Sequence, residues 1–124
     1  MIVGLGIDIT ELDRIERSLD KYGERFAEKI LTPAEIELIP SKNPIPYVAA
    51  RFAAKEAAVK ALGTGFAEGI TFHTIEITRM ESGAPKLNLL GKALERSKSM
   101  GVQGIHISIT HGRDTAAAVV VLEK

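Results

Sequence analysis

A chain of 124 residues, 45% apolar and 26% charged, is long enough to bury a core of its own and too apolar to stay disordered. Its 16 basic and 16 acidic residues cancel, which removes any bulk signal for nucleic acid or a membrane surface and leaves electrostatic meaning to local pattern. The absence of cysteine excludes disulfides, thiolate metal sites and a cysteine nucleophile, and a single cytoplasmic domain over residues 1–124 is expected.

Residues 2–9 alternate as a strand, with Val3, Leu5, Ile7 and Ile9 on one face and Ile2, Gly4, Gly6 and Asp8 on the other. Asp8 is a lone carboxylate in a stretch that otherwise reads as buried. The run is too short to span a bilayer, and Asp8 and Glu11 interrupt it where a signal peptide needs an unbroken apolar core. Gly4 and Gly6 leave room either for a ligand or for a packed helix. Thr10 and Asp13 have the spacing of a capping box, and Leu12, Ile15, Leu19, Tyr22 and Phe26 then follow at helical spacing from Glu11 onward. On the other side of that helix, Arg14, Arg17, Lys21 and Arg25 fall in a stripe roughly 80° wide. Gly23 is a candidate break ahead of Arg25.

Thr32-Pro33-Ala34-Glu35 starts a short helix, with a capping threonine and proline at the first helical position. Residues 40–46 are a proline-rich loop, and the alanine-rich helix Tyr47 to Leu62 ends at Gly63. Strands are expected over 70–80 and 86–89 around the turn Ser82-Gly83-Ala84-Pro85, then a helix over 91–100. Strands over 104–110 and 115–122 close the chain, joined by a connection too short for a parallel crossover. The fold class is therefore α+β, a mainly antiparallel sheet packed against a long central helix.

Gly4-Leu5-Gly6 is no dinucleotide fingerprint, since the third glycine and the turn into a helix are missing. The segment Arg51 to Leu62 carries more chemistry. Glu56 shares the helix side of Val48, Phe52, Val59 and Leu62, where a carboxylate is costly unless paired or metal-bound. An ion pair with Lys60 at i, i+4 satisfies it; so does a cation shared with Asp8. Magnesium suits two carboxylates, because it keeps waters and adds substrate phosphate oxygens. His111 closes an alternating strand, and neither His73 nor His106 stands at ligand spacing from it, so zinc is not expected.

Gly6-Ile7-Asp8-Ile9 leading to Asp13-Arg14-Ile15, then Arg51-Phe52-Ala53-Ala54-Lys55-Glu56-Ala57-Ala58-Val59-Lys60-Ala61 with Gly63-Thr64-Gly65, and finally Ser108-Ile109-Thr110-His111, resemble the holo-[acyl-carrier-protein] synthase family along the whole chain. The resemblance implies a trimeric 4'-phosphopantetheinyl transferase that moves 4'-phosphopantetheine from coenzyme A to a serine of apo acyl carrier protein and releases adenosine 3',5'-bisphosphate. It implies magnesium on Asp8 and Glu56, and coenzyme A contacts from Lys55, Lys60, Gly83, Pro85, Lys86 and His111. Glu56, Lys60 and His111 become the expected catalytic residues, with the serine proton going either to Glu56, directly or through water, or to His111. The basic helix, with Arg14, Arg17, Lys21 and Arg25, is implied to dock the acidic carrier. One departure stands out: Ala84 sits between Gly83 and Pro85 where the family commonly has a basic residue, and Lys86 is displaced. The competing reading is a non-catalytic module that grips an acidic helical partner with the same stripe.

Overall fold

The computed structural model describes residues 1–124. Strand β1 (Ile2–Glu11) leads into helices α1 (Leu12–Tyr22), α2 (Glu24–Ile30) and α3 (Pro33–Glu37), then the long helix α4 (Ile45–Leu62). A hairpin of β2 (Ile75–Arg79) and β3 (Pro85–Leu89) follows, then α5 (Gly91–Ser99), β4 (Gly104–His111) and β5 (Thr115–Glu123). Strands β1, β5 and β4 form an antiparallel sheet in that order, and β2–β3 form a separate antiparallel pair. The α+β expectation therefore holds. No helix is long and apolar enough to cross a membrane.

Helix α4 lies across the sheet and is buried on almost every side. Its run of small residues allows this: Ala53, Ala54, Ala57, Ala58 and Ala61 are all within the core. The closest approach is to β1, where a Cβ at Gly6 would overlap the Ala57 carbonyl and one at Gly4 that of Ala61. Of the two readings of these glycines, helix packing is the one observed. Because α4 is enclosed all round, the single apolar stripe expected through Phe52 and Val59 is not what places Glu56.

Several sequence expectations need correction. Residues Leu5, Ile7 and Ile9 of β1 are 62%, 61% and 68% exposed, so the apolar row points outward and the glycine face is the core face. Alternation separates the faces of a strand without saying which one a helix covers. The Thr10–Asp13 capping box is absent: β1 runs on to Glu11, and Thr10, on the same face as Asp8, donates to Asp8 Oδ2 at 3.1 Å. The first helix is two helices, broken at Gly23 with φ 58°. Helix α4 starts at Ile45, because Pro46 in the first turn lacks only an N–H that would be unpaired there anyway. Strand β5 is central, and its inward residues Ala116, Ala118, Val120 and Leu122 are buried within the chain itself.

Candidate active site

Two strand residues advance about 6.6 Å and four helix residues about 6 Å, so the contacts Gly4 to Ala61 and Gly6 to Ala57 keep β1 and α4 in step. Asp8, the next inward position, is thereby delivered to the side of α4 that carries Glu56 and Lys60. Lys60 donates to Asp8 Oδ1 at 3.1 Å and to the Ile7 carbonyl at 3.0 Å. It does not form the i, i+4 ion pair with Glu56. Burial first, and then the Asp8 carboxylate, raise the Glu56 pKa above the usual carboxylate value, while Lys60 and Arg14 pull it down. Asp8 and Glu56 thus stand as two hard oxygen donors whose mutual repulsion is only partly offset.

That arrangement fits a magnesium ion. No group of three or more histidine, aspartate or glutamate side chains is assembled, so a closed protein cage is ruled out. Two carboxylates with open positions for water and phosphate oxygens are the donor set that magnesium takes.

Arg14 is set apart from the rest of the basic stripe. Its guanidinium lies 5.0 Å from the centroid of Phe52, one turn before Glu56 on α4. Arg14, Arg17, Lys21 and Arg25 are all exposed, and Arg25 is set apart from the other three by the Gly23 break. It lines a groove between α1 and α2 with Tyr22, Phe26 and Lys29. Lys29 was not marked by spacing, because the break shifts the helical phase before it.

A second cluster of positive charge faces the other way. Arg51 is 7% exposed and its Nε is buried with no hydrogen-bond partner. Its guanidinium stacks 4.0 Å from the centroid of the Tyr47 ring. Burial is the main cause of its lowered pKa, and the charge of Arg79 adds to the effect. Arg51, Arg79, Lys42 and His111 line a cavity of about 390 Å³, and Gly83 and Pro85 line the adjoining one with both arginines. Neither lining contains a carboxylate. The cavity carries positive charge and no negative charge. Sequence reasoning missed Arg51 and Arg79, although one signal was available: residues 47, 48, 54 and 55, the helical neighbours of Arg51, include no acid.

Two expected cofactor contacts are placed elsewhere. Lys55 is fully buried, and its three ammonium hydrogens go to Glu35 Oε1 at 2.6 Å, the Ile30 carbonyl at 2.7 Å and the Phe72 carbonyl at 3.0 Å. It has no donor left for a ligand. Lys86 projects from β3 toward Met80 and His106, away from the arginines. The basic residue that the hairpin does bring to the cavity is Arg79, which pairs across the hairpin with Pro85.

His111 does sit at the anion cavity, but not beside the carboxylates. Asp8 is level with Ala118, and Ala118 with Ile109, so a whole strand separates β1 from β4 and His111 lies two residues further on. Arg51 and Glu56, five residues apart, point about 140° apart around α4. One chain thus presents a carboxylate half-site and an arginine half-site in different directions.

The sequence profile described as the 4'-phosphopantetheinyl transferase superfamily matches residues 4–120. The chain is 93% identical over 124 residues to a holo-[acyl-carrier-protein] synthase of Maridesulfovibrio salexigens, covering 100% of both. It superposes on the crystal structure of holo-[acyl-carrier-protein] synthase from Neisseria meningitidis with a TM-score of 0.91 at 41% identity, covering 100% of each chain. The Helicobacter pylori holo-[acyl-carrier-protein] synthase, solved in complex with coenzyme A, gives a TM-score of 0.84 at 35% identity, covering 96% of this chain and 99% of that one.

Proposed function

The chain belongs to the 4'-phosphopantetheinyl transferase superfamily, among its holo-[acyl-carrier-protein] synthases, and from that membership we propose a magnesium-dependent transfer of 4'-phosphopantetheine from coenzyme A to a serine of apo acyl carrier protein. The observation that carries the reading is the meeting of Asp8 and Glu56 on facing elements, with Lys60 beside them. Asp8 and Glu56 would hold the ion, which supplies charge neutralisation at the pyrophosphate when bound. The serine oxygen attacks the β-phosphorus; the bond from that phosphorus to the oxygen of the 5'-phosphate breaks, and adenosine 3',5'-bisphosphate departs. Lys60 is exposed enough to turn from Asp8 to the departing phosphate. Glu56, whose proton affinity is already raised, takes the serine proton directly or through a water, and His111 is the alternative acceptor. Arg51, Arg79, Lys42 and His111 hold the remaining phosphate of the nucleotide.

Since the half-sites diverge within one chain, the working cleft is formed between copies, each giving one half. The outward row of Leu5, Ile7 and Ile9 supplies the contact, extended by Val119 beside Ile7 and Val121 beside Leu5. A contiguous apolar strand face of this kind needs a cover. We assign it to a homotrimer. A monomeric mass by light scattering at assay concentration, with full activity, would overturn that assignment.

The reaction itself is tested by incubating the chain with coenzyme A, magnesium and apo carrier protein. Mass spectrometry should show the carrier heavier by one phosphopantetheine, in samples with magnesium and not in samples with chelator. A carrier that is bound but never modified would favour the non-catalytic module.

A further inference from the structure

One carboxylate that lies in neither half-site is bonded to groups leading to both. Glu35 is 1% exposed and closes the capping box of α3. Its Oε1 accepts from the Thr32 backbone N–H at 2.8 Å and from the Lys55 ammonium at 2.6 Å. Its Oε2 accepts from the Ile77 backbone N–H at 2.8 Å, and its carbonyl oxygen from the Tyr47 hydroxyl at 2.6 Å. A capping glutamate needs only the first of these bonds.

Each of the others reaches a functional element. Lys55 immediately precedes Glu56 on α4. Ile77 lies two residues before Arg79 on the same face of β2. Tyr47 carries the ring on which the Arg51 guanidinium rests. Tyr47 and Lys55 are eight residues apart on one side of α4, so residue 35 holds that helix at two points separated by about 12 Å, Lys55 through its carboxylate and Tyr47 through its backbone carbonyl. A helix held at two such points is fixed in rotation and in height. Lys55 sharpens the clamp, because its other two hydrogens go to the carbonyls of Ile30 and Phe72, which leaves the ammonium a single orientation.

We infer that Glu35 is the positioning residue that sets the two half-sites against one another, its carboxylate holding Glu56 through Lys55 and Arg79 through Ile77 of β2. This rests on the reading of Asp8 and Glu56 as metal ligands and of Arg51 and Arg79 as anion ligands. Glu35 touches neither ligand itself. Its effect is that of an outer partner which orients a ligating side chain.

Glu35→Gln alone leaves the Lys55 ammonium buried without an anion and can prevent folding. The double variant Glu35→Gln/Lys55→Met removes both charges, and circular dichroism establishes that it is folded. In that variant the Kd of coenzyme A, measured by calorimetric titration in chelator, and the magnesium concentration for half-maximal activity should each rise about tenfold. A purely structural pair predicts wild-type values once the chain is folded, so a change in neither or in only one of them overturns the inference. If the double variant does not fold, Glu35→Asp decides, since it keeps the charge opposite Lys55 but draws the carboxylate back from the Ile77 N–H. A raised Kd of coenzyme A together with a raised magnesium requirement supports the positioning role, and a wild-type value of either overturns it. Asp8→Ala and Arg51→Ala run alongside: if Asp8→Ala leaves the magnesium requirement, or Arg51→Ala the coenzyme A affinity, untouched, the half-sites are misassigned. If both respond and the Glu35 variants do not, only the positioning role falls.

Discussion

Lys55 and Lys60 leave the same helix five residues apart, and each meets a carboxylate. Lys55 reaches Glu35 Oε1 at 2.6 Å with both side chains at 0% exposure, whereas Lys60 reaches Asp8 Oδ1 at 3.1 Å with the two at 52% and 16%. The short bond belongs to the fully buried pair. Withdrawing two charges from water costs several kcal/mol per ion and is offset only by good geometry and further hydrogen bonds, which Ile30, Phe72, Thr32 and Ile77 supply. Such a pair cannot be redirected. The exposed pair costs little to form and little to break, so Lys60 can exchange Asp8 for a phosphate within one reaction cycle. On the proposed mechanism, one helix therefore carries a lysine that shapes the site and a lysine that works in it.

The sharpest break in this comparison is Lys55→Ala. Leaving Glu35 buried without its cation should lower the unfolding free energy by about 3–5 kcal/mol, read by denaturant titration. Lys60→Ala should change stability by about 1 kcal/mol or less in the same titration. Its effect should appear in turnover, which falls by about a hundredfold with the loss of a charge aimed at the departing phosphate. Asp8→Ala and Glu56→Ala should cost at least about as much, with the chain still folded. Equal destabilisation by Lys55→Ala and Lys60→Ala would erase the contrast.

Glu56 gives a smaller, pH-dependent effect. Burial and Asp8 raise its folded pKa. A carboxylate raised in this way contributes stability that is full below its unfolded pKa and lost as pH climbs through the folded value. In chelator, the wild type should lose stability over that window relative to Glu56→Gln, which has no proton to release. The gap should open as pH rises past the ordinary glutamate range and then level off. Magnesium should narrow it, because an ion bound only by the folded chain stabilises it. A gap that widens toward acid would show that Glu56 is held ionised, against the direction of its shift.

The difference between the two lysines was not legible in Lys-Glu-Ala-Ala-Val-Lys. Helical spacing gives the angle between side chains, but α4 is enclosed on nearly all sides, so angle did not translate into exposure. The same limit hid the orientation of β1: alternation separated Leu5, Ile7 and Ile9 from Gly4, Gly6 and Asp8, yet the inward face proved to be the one without bulk. Local chemistry read more faithfully. The capping threonine Thr32 with Pro33 at the first helical position, the helix end at Gly63 and the antiparallel pairing of the last two strands are as expected. Asp8 and Glu56 were paired from their incongruity alone, each a carboxylate in an apolar setting. The arginine cavity escaped because Arg79 and Gly83 of the hairpin and His111 of β4 come from separate stretches that only the packing of the hairpin against β4 brings to Arg51.

The smallest expected effect separates the basic stripe from both lysine pairs. Arg17 and Lys21 are exposed and have no carboxylate within ion-pair distance, so they contribute little to the fold. Arg14 is different, since it rests on Phe52 and its charge is felt at Glu56. A clean test of carrier docking therefore leaves Arg14 intact and uses Arg17→Glu with Lys21→Glu. If the stripe docks an acidic carrier, this variant should raise the Michaelis constant for the carrier, with kcat and the Kd of coenzyme A unchanged. Added salt should raise the same constant for the wild type by screening, and should do so less for the variant. Arg14→Glu should do more, adding a fall in kcat because the reversed charge would sit near Glu56. A solvated face with no docking role predicts carrier kinetics that ignore both the double reversal and the salt.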